Sequence, residues 1–279
     1  MDCVSYRVLV IDNGSTDGSE REIRAARPDV ELIQTGANLG FAGGNNIGIQ
    51  RALAAGADYV WVLNPDTTVD PAALSELLAC AEKHPGTGAL TTRVSNEGSE
   101  RDSNVVWDAS TSGEPIHCAG CMHKGAYHVG MMINGPSIFL RRSAIGTIEL
   151  FDETYFHYYE DVDLIERIRR GGWEVGLACR AAIVHAGGSS LPYASPQSAY
   201  YLLRNELLYR KKLFGEHPLR VFARNPIRLR QLVSVRGALR LDFRYTKAYM
   251  LAVADGVRGK GGRRDLGGIA YQVAERPRR

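Results

Sequence analysis

The sequence lacks any apolar run of about 18 residues, the length that a helix needs to cross a bilayer. Near its start it also lacks the basic residues followed by an apolar stretch that mark a secretory signal. These two absences favour a cytosolic protein. The 279 residues, of which 44% are hydrophobic and 23% charged, suffice for one sizeable α/β domain with an appendage or for two small domains.

Cysteine is scarce, and the odd number of five argues against a disulfide framework. Cys118 and Cys121 form a C-x-x-C pair with His117, His123 and His128 close by. Because no second C-x-x-C pair is present, two interpretations stay open: a structural zinc site, or two ordinary loop thiols. The order G-x-G-x-x-G is absent as well, which argues against a dinucleotide-binding NAD enzyme.

Charge is unevenly distributed behind a net value of +3. Residues 204–279 contain 19 of the 34 basic residues and only 6 of the 31 acidic ones. Within them, residues 228–244 alternate basic and apolar side chains at near-helical spacing, which resembles a membrane-surface helix more than a reader of nucleic-acid grooves. A solvated helix packed on the body fits the same pattern.

Short apolar runs alternate with helical segments through much of the chain, which predicts an α/β fold with a mostly parallel sheet. The predicted strands are residues 8–11, 30–34, 59–63, 131–140 and 175–185. Residues 1–203 are expected to form the catalytic domain and residues 204–279 a basic helical extension.

Three other segments complete this prediction. Residues 36–48 are rich in glycine and asparagine and are expected to form a loop before a helix that ends at Gly56. Asp70 and Pro71 read as the cap and first position of the next helix. Residues 95–130 are polar and glycine-rich, which is typical of a long excursion from the sheet.

Two acidic residues follow predicted strands, at the edge where an open parallel sheet binds ligands. Asp12 ends the first strand, and Asp66 follows five apolar residues of the third. The carboxylate of Asp66 suits a hard divalent cation such as Mg²⁺ or Mn²⁺. The plainer interpretation is an aspartate that starts a turn or caps the next helix.

A cluster of three acids, Glu160, Asp161 and Asp163, begins another predicted helix. The apolar residues that share a helix face with Asp161 are Leu164, Ile165 and Ile168. This spacing predicts that Asp161 points inward, beneath the aromatic side chains of residues 155–159, and that Asp163 lies off that face. A partly desolvated carboxylate has a raised proton affinity, which suits a general base. Stabilisation of the helix N-terminus by three acids is the other interpretation.

His185 ends an apolar strand and is followed by Ala-Gly-Gly-Ser-Ser. A neutral imidazole at this place would complete a metal shell or contact phosphate, or it would be an ordinary polar residue. The glycine-rich residues 36–48 would similarly serve as a phosphate cradle or as a simple loop.

Taken in order, several segments resemble the family 2 glycosyltransferases of the GT-A fold, especially the bacterial rhamnosyltransferase-like branch. They span about residues 8–215 and read VLVIDNGSTDGS, NLGFAGGNNIGI, VWVLNPDTTVDPAAL, INGPSIFLRRSAI, FDETYFHYYEDVDLIERIRRGGWEV, AAIVHAGGSS and YYLLRNELLYRKKLFG. The resemblance implies that Asp12 and Asn13 contact the nucleotide base or ribose. It further implies that the pocket behind them is shaped by Asn38, Gly40 and Asn46.

The resemblance also assigns the metal and the base. Asn64-Pro65-Asp66 stands where the family has its D-x-D motif, and with asparagine in place of the first acid Asp66 becomes the principal ligand of Mg²⁺ or Mn²⁺. His185 is implied as a further metal-side contact. Asp161 is implied as the catalytic base, with Glu160 positioning it or the acceptor.

The implied reaction is an inverting single displacement from a nucleoside-diphosphate sugar, with a deoxysugar such as rhamnose on thymidine diphosphate as the family-level expectation. The implied acceptor is a glycan or a lipid-linked intermediate of cell-wall polysaccharide. We expect a cytoplasmic enzyme with peripheral contact to the inner face of the membrane through its basic tail, and no nucleic-acid partner.

The sequence departs from the family at its start. Family members open with another strand and helix, carrying a Thr-Tyr-Asn-like nucleotide contact, before the strand that begins here at Val8. This difference leaves a second interpretation open, a non-catalytic GT-A-like module that binds a partner or a glycan.

Overall fold

The computed structural model describes residues 5–96, 105–107, 115–117, 127–129, 135–186, 195–224 and 243–267. These residues divide into two compact units. The first contains the described residues up to Asp152 together with residues 160–186, and the second contains residues 153–159 with the described residues from 195 onward.

Strands and short helices make up the first unit. Its strands are β1 (Leu9–Asp12), β2 (Glu31–Gln34), β3 (Tyr59–Leu63), β4 (Thr67–Val69), β5 (Thr87–Asn96), β6 (Val105–Trp107), β7 (Pro115–His117), β8 (Tyr127–Val129), β9 (Ser137–Arg141) and β10 (Glu174–His185). Its helices are α1 (Ser19–Ala26), α2 (Gly40–Ala54), α3 (Ala73–Lys83), α4 (Arg142–Ile145) and α5 (Glu160–Arg170).

The main sheet runs in the order β3-β9-β5-β10-β4, with β8 also paired to β10. Only β5 and β10 are parallel neighbours in it, so the sheet is mixed where a mostly parallel one was expected. β9 causes much of the difference, because it runs antiparallel to both β3 and β5. A strand that starts at the end of the sheet where β5 finishes has to run in the opposite direction.

Side chains that alternate along the strands bury both faces of this sheet. Leu140 of β9 packs with Ile49 of α2 and Ile165 of α5, whereas the adjacent Phe139 packs with Leu77 of α3. Helices therefore cover both sides, as the continuous apolar strands require.

β1 and β2 form a separate two-stranded parallel sheet with the register Leu9↔Glu31 to Asp12↔Gln34. Helix α2 packs on both β1 and β3, although these two strands do not pair with each other. The predicted nucleotide side of the fold is thus joined to the main sheet through this helix.

Helix α2 begins at Gly40, inside the glycine-rich segment that was expected to be a loop. Gly44 and Gly48 are needed for close packing, whereas Gly36 and Gly40 have a left-handed backbone with φ of 76°. A Cβ atom on Gly44 would lie 3.2 Å from the side chain of Asn13, and one on Gly48 would lie 3.1 Å from that of Ile11. The prediction of a loop over residues 36–48 was therefore wrong from Gly40 onward.

Helix α5 buries the predicted stripe of Leu164, Ile165 and Ile168, but the expected position of Asp163 was wrong. Asp163 is completely buried, and its carboxylate accepts a hydrogen bond of 2.7 Å from Nε of Arg167. The helix is covered on more than one side, and the i,i+4 ion pair compensates the buried charge.

The second unit is helical, and its core joins Tyr200, Leu207 and Ala252. Its helices are α6 (Pro196–Phe214), α7 (Pro218–Ala223) and α8 (Arg244–Arg258). Ser195 caps α6 by accepting a hydrogen bond from the Ser198 amide at 3.0 Å, and a left-handed Gly215 follows its last residue.

Three residues of the segment 153–159 have left-handed backbones, with φ values of 58° at Phe156, 67° at Tyr158 and 75° at Tyr159. None is glycine, so each such conformation costs of order 1–2 kcal/mol. Tyr159, the last residue of this segment, directly precedes Glu160, the first of the two predicted catalytic acids.

Hydrogen bonds from helix α6 hold this segment. Nδ2 of Asn205 donates to the carbonyl oxygens of Tyr155, His157 and Tyr158 at 2.9, 2.8 and 2.7 Å. The fully buried guanidinium of Arg204 donates to the Tyr155 carbonyl as well, at 3.1 Å. These bonds offset the backbone strain.

We expect Asn205→Ala to destabilise the protein by about 1–3 kcal/mol, because it removes the hydrogen bonds that Nδ2 of Asn205 donates to carbonyl groups of a strained segment. Thermal unfolding followed by circular dichroism should show a midpoint several degrees lower. Lys211→Ala, at an exposed position of the same helix, is the control and should leave the midpoint nearly unchanged. Equal midpoints for the two variants would contradict the stabilising role of Asn205.

Several predictions concern residues outside the described ranges: the loop thiols Cys118 and Cys121, most of the excursion 95–130, and most of the basic segment 228–244. Cys80 and Cys179 are buried, and neither forms a disulfide with another described residue. Among the described residues, no helix combines the length and apolar character of a membrane span.

Candidate active site

Asp66 and His185 meet at the end of the main sheet. Nε2 of His185 lies 3.1 Å from Oδ1 of Asp66 and 3.3 Å from Nδ2 of Asn64. The side chains of His185 and Asp66 are 17% and 18% exposed, so they contact each other and still reach solvent. The two predicted metal ligands, Asp66 and His185, and Asn64, which was predicted to bind the nucleotide-sugar donor, are therefore adjacent.

The backbone fixes this arrangement. β4 pairs antiparallel with β10 so that Thr67 is opposite His185, and the Ala186 amide donates to the Asp66 carbonyl at 2.9 Å. Oγ1 of Thr67 donates to the Asn64 carbonyl at 2.7 Å and closes the turn after β3. The apolar strand and the turn hold Asp66 in place without a flexible loop.

The donor set at this place fits a divalent cation. Nε2 of His185 either carries a proton and donates to Oδ1 of Asp66, or is unprotonated and has one lone pair that accepts from Nδ2 of Asn64 or binds a cation beside the Asp66 carboxylate. An oxygen and a nitrogen donor with partial exposure leave room for diphosphate oxygens and water, as Mg²⁺ and Mn²⁺ sites do. In the part of the chain that the structure describes, no three or more His, Cys, Asp or Glu side chains are grouped so that they could bind a metal ion together.

Asp161 is held at the N-terminus of α5 against the turn before β9. Its carboxylate accepts hydrogen bonds from the Val162 amide, at 2.8 Å, and from the Gly135 amide. A Cβ atom on residue 135 would lie 3.0 Å from Oδ2 of Asp161, so the turn approaches the carboxylate as closely as only glycine allows.

The same turn also contacts the metal-side residues. The amide of Asn64 donates to the carbonyl of Pro136 at 3.1 Å, one residue after the glycine that touches Asp161. Asp161 and the Asn64–Asp66 turn are thereby joined through two consecutive residues, Gly135 and Pro136. The two acids that the sequence singled out lie in the same unit and share this connection.

Glu160 is 5% exposed, and among the described residues its Oε2 has no hydrogen-bond partner. Burial, and then the neighbouring charge of Asp161, raise the pKa of Glu160 to about 8. Burial also raises the pKa of Asp161, although the amides that donate to it oppose the shift. Two close carboxyl groups in this environment favour a state with one proton on Glu160 and the negative charge on Asp161.

The residues predicted for the nucleotide lie where β1 meets α2. Asp12 is buried, and its carboxylate accepts from the Ser15 amide and from Nε2 of Gln34, both at 2.8 Å. Asn13 binds the start of α2, because its side chain donates to the Gly40 carbonyl at 2.8 Å and accepts from the Leu39 amide at 3.0 Å.

Asn38 and Asn46 stabilise the same region. Oδ1 of Asn38 accepts from the Gly40 amide at 2.9 Å. The buried side chain of Asn46 donates to the Phe151 carbonyl at 2.9 Å and accepts from the Phe151 amide at 3.0 Å. Each of these predicted residues fixes backbone around the pocket, and direct contact of their side chains with a nucleotide stays a prediction.

Gly135 and Pro136 lie in a segment that resembles the family, but no sequence pattern assigned them to the site. A Gly-Pro pair directly before an apolar strand signals a turn, but only the fold shows that its backbone touches Asp161 and Asn64.

The family model for glycosyl transferase family 2 matches residues 4–146, just over half of the chain. The chain belongs to glycosyl transferase family 2. This family 2 chain is 31% identical over 269 residues to an N-acetylglucosaminyl-diphospho-decaprenol L-rhamnosyltransferase of Mycobacterium tuberculosis, with 84% of each chain covered. It is 24% identical over 261 residues to the dTDP-rhamnosyl transferase RfbF of Shigella flexneri, with 90% of this chain and 86% of that protein covered.

Solved structures agree on the fold of this family 2 glycosyltransferase. A mannosyltransferase of Pyrobaculum calidifontis in complex with GDP-Man and Mn²⁺ superposes with a TM-score of 0.54 at 15% identity, over 90% of this chain and 77% of that one. GalNAc-T7 with UDP, GalNAc and Mn²⁺ superposes with a TM-score of 0.57 at 15% identity, over 91% of this chain and 51% of the GalNAc-T7 chain. The fold is GT-A, as the sequence predicted.

Proposed function

We propose that this glycosyltransferase moves a sugar, with rhamnose as the leading candidate, from a nucleoside-diphosphate donor to a lipid-linked glycan with inversion at the anomeric carbon. The activities of the mycobacterial and Shigella relatives support the sugar, and that of the mycobacterial relative supports the acceptor class. The observation that carries the proposal is the connection of Asp161 to the Asn64–Asp66 turn through Gly135 and Pro136.

In the proposed reaction, Asp161 is the general base. It removes the proton of an acceptor hydroxyl while that oxygen forms a bond to the anomeric carbon and the bond from that carbon to the diphosphate oxygen breaks. The amides of Gly135 and Val162 orient the carboxylate, and a protonated Glu160 leaves the negative charge on Asp161. Because the displacement has one step, no covalent glycosyl-enzyme forms.

Asp66 and His185 would hold Mg²⁺ or Mn²⁺ on the donor side, with Asn64 beside them. A bound divalent cation offsets the charge that develops on the departing nucleoside diphosphate. The side chains of Asp12, Asn13, Asn38 and Asn46 and the backbone of Gly40 would form the nucleotide pocket, since their hydrogen bonds fix the loops around β1 and α2.

We also propose a cytoplasmic location with peripheral contact to the membrane through the basic C-terminal region. A lipid-linked acceptor requires access to a lipid surface, and the excess of basic residues from 204 onward favours an anionic one.

The second candidate is a GT-A-like module that binds a glycan or partner without turnover. The separation of the β1–β2 pair from the main sheet favours it, because the predicted nucleotide side then depends on α2 for its position. The contacts of His185 with Asp66 and Asn64, and the connection of Asp161 to the same turn through Gly135 and Pro136, favour an enzyme.

We expect release of nucleoside diphosphate from a panel of nucleotide sugars to be greatest with dTDP-rhamnose, in the presence of Mn²⁺ and a polyprenyl-diphosphate N-acetylglucosamine acceptor. Omission of the acceptor should lower release to the rate of slow donor hydrolysis. Donor or glycan binding without release from any donor would assign the chain to the non-catalytic alternative. Preference for another sugar would correct the substrate but retain the transfer reaction.

A further inference from the structure

Helix α8 of the second unit has a buried face and an exposed face on opposite sides. Its buried residues are Ala248, Ala252, Asp255 and Gly256. A Cβ atom on Gly256 would lie 2.7 Å from a methyl carbon of Leu207 in α6, so this side of the helix is in close contact with its neighbour. The opposite side of α8 faces away from this contact.

The exposed side carries large apolar residues at regular spacing. Phe243, Met250 and Val257 are 57%, 61% and 36% exposed. They are seven residues apart, which is close to two helical turns, so they form one stripe along the helix. Exposed large apolar residues in a line, unlike scattered ones, indicate a surface that meets an apolar environment.

Basic residues surround this stripe. Lys247 lies within it, and the exposed residues Arg244 and Arg258 stand near the two ends of the helix. The only acidic residue of α8 is Asp255, which is buried and accepts a hydrogen bond of 2.7 Å from the hydroxyl of Tyr200. The exposed face therefore combines apolar and positive side chains without a negative one.

This chemistry favours one occupant over two others. A lipid surface with anionic headgroups accepts apolar side chains at the level of the acyl chains and cations among the headgroups. Nucleic acid would use the cations but leave the apolar stripe without a matching surface. A second copy of the chain, docked symmetrically on this face, would place like charges opposite each other.

We propose that the face of α8 formed by Phe243, Lys247, Met250, Val257 and Arg258 docks on a bilayer that contains anionic lipid. This inference gives a specific surface to the membrane contact included in the proposed function. It does not depend on the transfer reaction, because docking requires neither donor nor acceptor.

Co-sedimentation of the full chain with phosphatidylglycerol–phosphatidylcholine vesicles tests the proposal without any substrate. We expect the intact chain to bind, more weakly as salt increases, and Met250→Glu to weaken binding about tenfold or more, because a charge replaces an inserted apolar side chain. Tyr6→Glu is the control, since it also introduces a glutamate in place of a large exposed side chain, at a 70% exposed position of the first unit, and it should alter binding less than about twofold.

Two further variants separate the charge from the apolar contribution. Lys247→Gln and Arg258→Gln should each weaken binding to anionic vesicles by about fivefold, and should change the weak binding to pure phosphatidylcholine little. Unchanged vesicle binding of Met250→Glu would overturn the proposal and assign the contact to other basic residues. A dimer in light scattering that Met250→Glu dissociates would assign the face to a second copy, and RNA binding that Lys247→Gln abolishes would assign it to nucleic acid.

The proposed transfer reaction can fail separately. Met250→Glu should retain transfer to a water-soluble, short-chain acceptor. Loss of vesicle binding with retained transfer supports the docking face alone, and vesicle binding by a chain that transfers no sugar leaves the docking face intact while removing the proposed function.

Discussion

Asp161→Asn is expected to lower the rate of sugar transfer by about 10²- to 10⁴-fold, the range in which a general base contributes. Asparagine keeps an oxygen that accepts from the Val162 and Gly135 amides, so the turn and helix α5 should remain folded. The amide of asparagine is too weak a base to accept the proton of the acceptor hydroxyl. Initial rates of nucleoside-diphosphate release, with donor affinity measured separately by calorimetry, should show a large loss of rate at nearly unchanged donor binding.

Glu166→Gln is the control for this variant. It makes the same change of carboxylate to amide on the same helix, at a residue that binds Arg169 and Arg170, and it should keep transfer within about twofold. The pH dependence provides a second check. The pKa of Asp161 is raised and the base acts deprotonated, so the wild-type rate should fall as the pH drops through that raised value. Comparable turnover in Asp161→Asn would remove Asp161 from the role of base.

Chelation is expected to produce a similarly large effect. Excess EDTA should reduce transfer to background, and added Mn²⁺ or Mg²⁺ should restore it. Asp66→Asn should reduce the rate by about 10²-fold or more even at saturating metal, because the carboxylate that binds the cation is lost. The measurement is transfer rate against metal concentration for the wild type and the variant.

Asp70→Asn is the control for the metal variant, since Asp70 lies four residues along the same segment and its carboxylate accepts from the Ala72 amide in a turn. It should preserve the response to metal. Undiminished transfer in excess chelator would contradict the metal assignment. A normal metal response in Asp66→Asn would contradict the choice of ligand.

Part of the fold and site followed from local pattern. The apolar runs identified β1, β3 and β10, because a buried strand needs little more than continuous apolar residues between turn signals. The i+3, i+4 stripe predicted the buried face of α5. Each of these inferences uses information within about ten residues of sequence, whereas the meeting of Asp66 and His185 was implied by the resemblance to the family.

Other features depend on contacts between distant segments. The burial of Asp163 follows from coverage of α5 on a second side and from its pair with Arg167, and neither is visible in a single helical period. Residues 40–48 are helical despite the low helix propensity of glycine, because the packing of Gly44 against Asn13 and of Gly48 against Ile11 outweighs that propensity. The contact of Gly135 with Asp161 joins residues 26 positions apart in the chain.

The composition of α2 has a consequence for local stability. Four of its first nine residues are glycine, and the three inside the helix, Gly43, Gly44 and Gly48, each cost about 1 kcal/mol relative to alanine. The helix is therefore unstable by itself and stays folded only while it packs on β1 and β3. Subglobal opening should begin around residues 38–48 at a lower free energy than in α5 or β10, so the region predicted to receive the nucleotide can unfold and reclose while the rest of the first unit stays native.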